Sequence, residues 1–324
     1  MITLEDVATH AGVSRATVSR VINRDSKVRD KTRLKIERSI AELGYAPNPS
    51  ARSLASRQSQ TLGLVTTSYL GGFFGMLMDN VQNEANRHYK QLLVTQGGGS
   101  EANELTAIRK LYNLNCDGLI LHVRSISDEK LLALADEEYS FILLDRQVTG
   151  LEHRCVAFDH QKASQMATQS LLKAGHRHIA CISGPQSRTS SQQRTQGFID
   201  AMQQAGLEPA AHQFGEYDLL SGYDACCRIL EQGTEMTALY CCNEEMAVGA
   251  LLAIAKAGLT IPGDISLICY DSGERAAFVS PKLTSVHFPI AAMAKTATEL
   301  LINPQSKRTH YEPTIIDRGS VASI

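Results

Sequence analysis

No stretch of the sequence approaches 18 uninterrupted apolar residues, which excludes a membrane-spanning helix. The first residues, Met1-Ile2-Thr3-Leu4-Glu5-Asp6, lack the basic-then-apolar order of a secretion signal, so a soluble, cytoplasmic protein is expected. There is no Cys-x-x-Cys and no Cys/His group with zinc spacing. Cys116, Cys155, Cys181, Cys226, Cys227, Cys241, Cys242 and Cys269 lie mostly in apolar runs and read as small buried hydrophobes in a reducing compartment. Neither metal nor cofactor is expected. Gly71-Gly72 and Gly97-Gly98-Gly99 lack the G-x-G-x-x-G spacing, and no G-x-x-x-x-G-K-[ST] occurs, so no phosphate-cradling loop of a nucleotide-dependent enzyme is supported.

What the chain does have is 324 residues, 43% hydrophobic and 20% charged, enough for two or three packed units. The formal net charge of −2 hides an asymmetry. Residues 1–60 hold 11 Lys and Arg against 6 Asp and Glu, and the rest holds 21 against 28. A basic head on an acidic body suits a module that approaches phosphate.

In that head, Thr3 can cap a helix on which Leu4, Val7, Ala8 and Ala11 form one narrow stripe. Gly12 breaks the pattern, and Ser14 can cap a second helix to about Asn23. There Thr17, Val18, Val21 and Ile22 gather on one side, which sends Arg15, Ala16, Ser19, Arg20 and Asn23 to the other. A third helix from about Asp30 buries Ile36, Ile40 and Leu43, shows Lys31, Lys35 and Arg38, and stops at Gly44. The pattern fits a helix-turn-helix, and equally a plain helical bundle with a solvated basic face. Asn48-Pro49-Ser50-Ala51-Arg52-Ser53-Leu54-Ala55-Ser56 carries a cap and a proline at the first helical position, yet is too short to be stable alone.

From Thr61 on, short apolar runs near 62–67, 91–96, 118–122, 141–145, 179–183, 239–242 and 265–271 alternate with helical segments such as 74–89, 161–174 and 244–257. This repeated β-α-β order predicts an α/β protein with two lobes of doubly wound parallel sheet. Ligands bind beyond the carboxyl ends of such strands. Phe73, Phe74, Asp145, Arg146, Arg194, Asn243 and Asp271 stand there, either as solvated loop residues or as a rim of planar polar groups over an aromatic face that would suit a sugar.

The run Thr3-Leu4-Glu5-Asp6-Val7-Ala8, with Ala11-Gly12-Val13-Ser14-Arg15-Ala16-Thr17-Val18-Ser19-Arg20-Val21-Ile22-Asn23 and Leu43-Gly44-Tyr45-x-Pro47-Asn48, resembles the DNA-binding head of the LacI/GalR family of bacterial repressors. That resemblance places base-reading side chains at Arg15, Ala16 and Arg20. Either arginine can offer two donors to guanine, and Ala16 an apolar contact to a thymine methyl. It makes Ser14, Ser19, Asn23, Thr32 and Tyr45 backbone contacts that set register. It also turns 48–58 into a hinge that folds on the operator, with Ala51, Arg52 and Leu54 in the minor groove and Leu54 as a wedge at the central base step.

The body is similar to the family's effector core, itself similar to periplasmic sugar-binding proteins. The motifs are Gly175-His176-x-x-Ile179, Gly197-Phe198, Met246-Ala247-x-Gly249-Ala250 and Pro281-x-Leu283-Thr284. The galactose-repressor branch is matched through Phe73-Phe74-Gly75, His153-Arg154-Cys155, Phe288-Pro289-Ile290-Ala291-x-Met293-Ala294 and Arg318-x-Ser320-Val321. The resemblance implies a head at 1–47, the hinge at 48–58 and a core at 59–324. Within the core the first lobe would be 59–159 with 289–316, and the second 160–288 with 317–324. It assigns the effector site to Phe73, Phe74, Asp145, Arg146, Arg194, Tyr217, Asn243 and Asp271. Three departures alter the acceptors at the rim: Asn243-Glu244 where Asn-Asp is usual, Asp271-Ser272 for Asp-Asp or Asp-Asn, and Asp145-Arg146 for Asn-Arg.

The expected function is a repressor released from a palindromic operator by a galactoside-type or related sugar, with β-glucosides, pentoses or a corepressor as alternatives. No leucine heptads follow Ser320-Val321, so a homodimer is expected. An enzyme is the competing class, since Asp145 and Asp271 could be drawn as a glycosidase pair. The arginine beside Asp145 favours permanently ionised hydrogen bonding over a raised general-acid pKa, so no enzyme is expected. A transport protein would leave the basic head without a purpose.

Overall fold

A computed structural model describes residues 2–22, 25, 27–45, 59–137, 139–233, 235–271 and 273–324. The expected hinge 48–58, with Ala51, Arg52 and Leu54, lies outside the described residues, as does Asn23. The chain divides into two compact units, Met1–Thr61 and Leu62–Ile324.

The N-terminal unit contains helices α1 (Leu4–Ala11), α2 (Arg15–Ile22) and α3 (Asp30–Leu43). Thr3 and Asp6 form a reciprocal capping box at the start of α1. Gly12 ends that helix in the left-handed conformation that frees the chain to turn into α2. The apolar stripes meet in one small core of Val7, Ala8, Ala11, Val18, Val21, Val28 and Ile36, with Ile40 and Leu43 packed on it. Lys31, Lys35 and Arg38 are exposed.

The second unit is built on two sheets. Strands β1 (Thr61–Thr66), β2 (Gln91–Gln96), β3 (Gly118–Leu121), β4 (Phe141–Leu144) and β5 (Cys155–Val156) form the first, in the order β2-β1-β3-β4-β5. The second has the order β11-β10-β9-β8-β6-β7, from β6 (Ile179–Ser183), β7 (Ala211–Phe214), β8 (Ala238–Cys241), β9 (Ser266–Tyr270), β10 (Thr284–His287) and β11 (Thr314–Ile316). Interior strands such as β1, β3, β4, β6, β8 and β9 are buried at every position, because helices cover both faces. Helices α4 (Gly72–Arg87), α5 (Glu101–Asn113) and α6 (Asp128–Asp136) belong to the first sheet. The second takes α7 (His160–Lys173), α8 (Thr189–Gln204), α9 (Leu219–Glu231), α10 (Glu244–Lys256) and α11 (Glu274–Phe278).

The chain crosses between the sheets at 157–159, at 288–289 and at 303–313. After the second crossing α12 (Ile290–Ile302) packs against α4 and β4, burying Ile290, Met293, Ala294, Ala297 and Leu300. The third crossing corrects the expected lobe boundary at 316. Thr314–Ile316 pairs antiparallel with β10, so this segment closes the edge of the second sheet and does not end the first lobe. Its ladder is fixed by Ser285↔Ile316, and Asp317 accepts a hydrogen bond from Thr284 Oγ1 at 2.9 Å.

Candidate functional site

In the N-terminal unit, Arg15, Ala16 and Arg20 are all exposed on α2. Ser14 receives the Thr17 backbone N–H at 3.3 Å, so it serves as the helix cap. Ser19 and Thr32 are half-buried, and Tyr45 packs against the small core. An exposed arginine-bearing face on a helix braced by two others has the form that enters a DNA major groove.

In the second unit, side chains at the carboxyl ends of strands from both sheets converge. Asp145 follows β4 and is buried. It receives Arg124 Nη2 at 2.5 Å and pairs with His160 Nε2 at 2.8 Å. The Arg124 guanidinium also donates to the Asp145 carbonyl at 2.8 Å and meets His122 Nε2 at 2.8 Å. His160 opens α7, and its Nδ1 lies 2.7 Å from Tyr270 Oη at the end of β9. A hydrogen-bonded chain thus joins the first sheet to the second through Asp145 and His160.

Arg194, buried on α8, forms the other half. It donates to the Cys242 carbonyl at 2.7 Å, its guanidinium lies 3.8 Å above the Tyr270 ring, and it stands 3.8 Å from Asp271 Oδ1. Its Nε is 3.4 Å from His160 Nδ1. The aromatic floor lies at the crossings. Phe73 stacks on Phe288 with centroids 5.7 Å apart, Phe158 meets Phe288 at 5.2 Å, and Phe74 contacts His122 edge-on at 5.9 Å. Tyr217 lays its ring against Gly184, where an added Cβ would fall 2.2 Å from the ring, and bonds Ser191 through its hydroxyl at 2.7 Å. Arg188 sits over that ring at 5.7 Å.

The backbone is strained here. Among the described residues six non-glycine positions have positive φ, and three of them are Asp145 at 58°, Tyr217 at 65° and Asp271 at 70°. Left-handed conformations at an aromatic and two carboxylates are costly and concentrate where function demands a particular side-chain direction.

The electrostatics follow from burial and pairing. Burial raises the Asp145 pKa, but His160 and Arg124 outweigh it and hold the carboxyl well below the usual range. Burial pushes His122 well below its ordinary value, with the Arg124 charge adding to the effect, so its imidazole is neutral. Burial also depresses His160, against the pull of Asp145. Asp271 is raised by burial despite Arg194.

The structure therefore brings Phe73, Phe74, Asp145, Arg194, Tyr217 and Asp271 into one connected cluster. Asn243 is present in a bracing role: its Oδ1 caps α10 by accepting from Met246 N at 3.0 Å, and its amide donates to the Tyr217 carbonyl at 3.1 Å. Arg146 stands apart from the ring cluster, donating to the Ile126 carbonyl at 2.7 Å and to Asp128 at 2.6 Å.

Comparison with known proteins gives this architecture a family. Residues 3–48 match the model of bacterial regulatory proteins, lacI family, and residues 168–321 match a periplasmic binding protein-like domain. The HTH-type transcriptional regulator GalS of Salmonella typhimurium is 36% identical over 99% of this chain and 97% of its own. GalR of Escherichia coli is 35% identical over 100% of this chain and 96% of its own.

The chain belongs to the lacI family of bacterial regulatory proteins.

A structure of the lac repressor dimer bound to operator and the anti-inducer ONPF has a TM-score of 0.88 at 29% identity, covering 99% of each chain. As a member of the lacI family this protein is a DNA-binding transcriptional regulator. Sequence reasoning missed His122, Arg124, Phe158, His160, Arg188, Tyr270 and Phe288. The rule that found Asp145, residues just past a strand end, applies equally to His122 and Arg124 after β3. Three backbone N–H groups in that loop, of Arg124, Ser125 and Ile126, donate to the buried Glu104 carboxylate at 2.8 to 2.9 Å and hold the loop in place.

Glu244, which opens α10, accepts from Ala276 N at 2.6 Å. Burial, together with the charges of Asp271 and Glu245, raises its pKa from 4.5 to about 7. The folded chain thus holds this proton more tightly than the unfolded chain. That contribution to stability is fully present below about pH 4.5 and is lost as the pH rises through about 7. Melting curves should show wild type falling behind Glu244→Gln as the pH is raised from 5 to 8. A difference constant across that range would contradict the assignment.

Proposed function

We propose that the protein is a sugar-responsive repressor, in which two copies hold a palindromic operator through their N-terminal units and a sugar seated between the two sheets weakens that hold. One observation carries the ligand site. Among the described residues three buried side-chain polar atoms lack a hydrogen-bond partner: His122 Nδ1, Arg146 Nη1 and Asp271 Oδ1. Arg146 stands apart beside Asp128, but His122 Nδ1 and Asp271 Oδ1 sit on residues that directly follow strands of the two different sheets. Buried polar groups are ordinarily paired, so these atoms are set to meet a ligand with hydroxyls.

Phe73, Phe74 and Phe288 supply the apolar face a sugar needs for its C–H surface. Closure on a ligand would adjust the Asp145–His160 link and with it the angle between the lobes. The galactose-branch motifs make galactosides the natural first members of a ligand panel. The homodimer is supported by apolar side chains on the contiguous helices α9, α10 and α11, where Leu220, Leu252 and Phe278 are 69%, 50% and 86% exposed. The head at 1–47, the hinge at 48–58 with Ala51, Arg52 and Leu54, and a cytoplasmic location belong to the same reading. Among the described residues no helix is long and apolar enough to cross a membrane.

The test is a footprint on operator fragments selected from random DNA. Arg20→Ala should cost about 1–3 kcal/mol and relax the preference at one base pair in each half-site. An equal loss on unrelated DNA would move Arg20 from base reading to simple charge attraction.

A further inference from the structure

The chemistry of the unpaired atoms says more about the ligand than that it bears hydroxyls. Arginine only donates, so the contact between Arg124 Nη2 and His122 Nε2 makes Nε2 the acceptor. The imidazole, neutral by burial, must then carry its proton on Nδ1. The unpartnered atom of His122 is a donor, buried and flanked by Phe73 and Phe74 at 5.6 and 5.9 Å. It calls for an acceptor.

Counting the surrounding charges sharpens this. Arg124 is paired with Asp145, Arg146 with Asp128, and Arg194 faces Asp271. Arg188 is different. It precedes α8, lies over Tyr217, and among the described residues no carboxylate pairs with it. Its charge nevertheless reaches both His122 and Arg124 across the site. The end of the site between His122 and Arg188 therefore offers an N–H donor and an uncompensated cation. The opposite end, at Asp271 Oδ1, offers an acceptor for hydroxyls.

We propose that the effector is a sugar derivative carrying one anionic group, a carboxylate or a phosphate, received by Arg188 and His122 while its hydroxyls meet Asp271. This rests on the sugar-repressor reading above and narrows its ligand class. A neutral hexose would leave Arg188 without a counter-charge in a site where every other arginine has one. The oxygens of one anionic group can accept from the His122 N–H and offset the Arg188 charge.

The experiment uses the full-length protein and two readouts, titration calorimetry and release of operator DNA. The probes are galactose and glucose as neutral sugars, galacturonate and gluconate as acids, and galactose 6-phosphate and glucose 6-phosphate as phosphates. At least one anionic probe should bind at least about tenfold more tightly than its neutral parent, and the acid and phosphate arms separate the two sources. Arg188→Gln should weaken that probe by about 10- to 100-fold, and Arg188→Lys should recover much of the loss because the charge is retained. A neutral sugar that binds as tightly as every anionic probe and is indifferent to Arg188→Gln would overturn the anionic effector and leave the sugar-repressor reading standing. If no probe of either kind binds or releases operator, both readings fall.

Discussion

Arg194→Ala should give a repressor that grips its operator as wild type does and ignores its ligand. Arg194 holds Cys242, Tyr270 and Asp271 in one arrangement and brings a permanent charge to the wall of the site. Charge-assisted hydrogen bonds to a bound ligand contribute about 1.5–3 kcal/mol each, so its loss should cost about 10- to 150-fold in ligand affinity. Calorimetry checks the affinity, and an unchanged operator footprint checks that the variant is folded. Lysine should restore only part, because it cannot lie flat on Tyr270 while donating in a fork. Undiminished release of operator by ligand in Arg194→Ala would remove this residue from the site.

Asp145→Asn should be the most destabilising change at the site. The carboxylate is the counter-charge for Arg124 and the bridge to His160, and the Asp145 and Arg124 side chains are only 3% and 12% exposed. Removing one partner of a buried ion pair strands the other and costs about 3–5 kcal/mol. The melting midpoint should fall by on the order of 10 °C. The low pKa fixes the pH dependence. Because the folded carboxyl is more acidic than the unfolded one, its contribution is present above about pH 3.8 and lost as the pH falls through the folded value. Wild type and Asp145→Asn should therefore differ most near neutrality and converge in acid. A variant as stable as wild type at pH 7 would show that Arg124 and His160 do not depend on this carboxylate.

Much of this arrangement was readable from local pattern. Thr3, Gly12 and Ser14 act through caps and turns that reach no further than four residues, so the head's helices follow from spacing alone. Most interior strands announce themselves because parallel sheets covered on both faces need continuous apolar runs. Four strands went unseen, among them Cys155–Val156, only two residues long, and Thr284–His287, with a single aliphatic member. Thr314–Ile316 has three residues of which none is buried, and Ala211–Phe214 is an edge strand with two polar members. Neither contrasts with a loop in composition.

The site divides in the same way. Asp145, Asp271, Phe73 and Arg194 stand near strand ends, where topology alone makes ligand contacts plausible. His160, Phe158 and Phe288 stand where the chain passes from one sheet to the other, and nothing in their neighbours marks such a crossing. Their role depends on contacts across large separations, such as the 110 residues between His160 and Tyr270. Asn243 shows the converse. Its position after β8 suggests a rim, but both amide atoms are engaged in capping α10 and bracing Tyr217.

The claim that the cleft governs the grip on DNA is tested most directly by reciprocity. An effector that weakens operator binding by some factor must itself bind more weakly, by that same factor, when operator is present. Titrating the active sugar derivative into free protein and into protein saturated with operator measures this, and a coupling of about 1–3 kcal/mol predicts a 5- to 150-fold difference between the two dissociation constants. Identical constants would mean that the two units act independently, and the account of this protein as an effector-controlled repressor would fail.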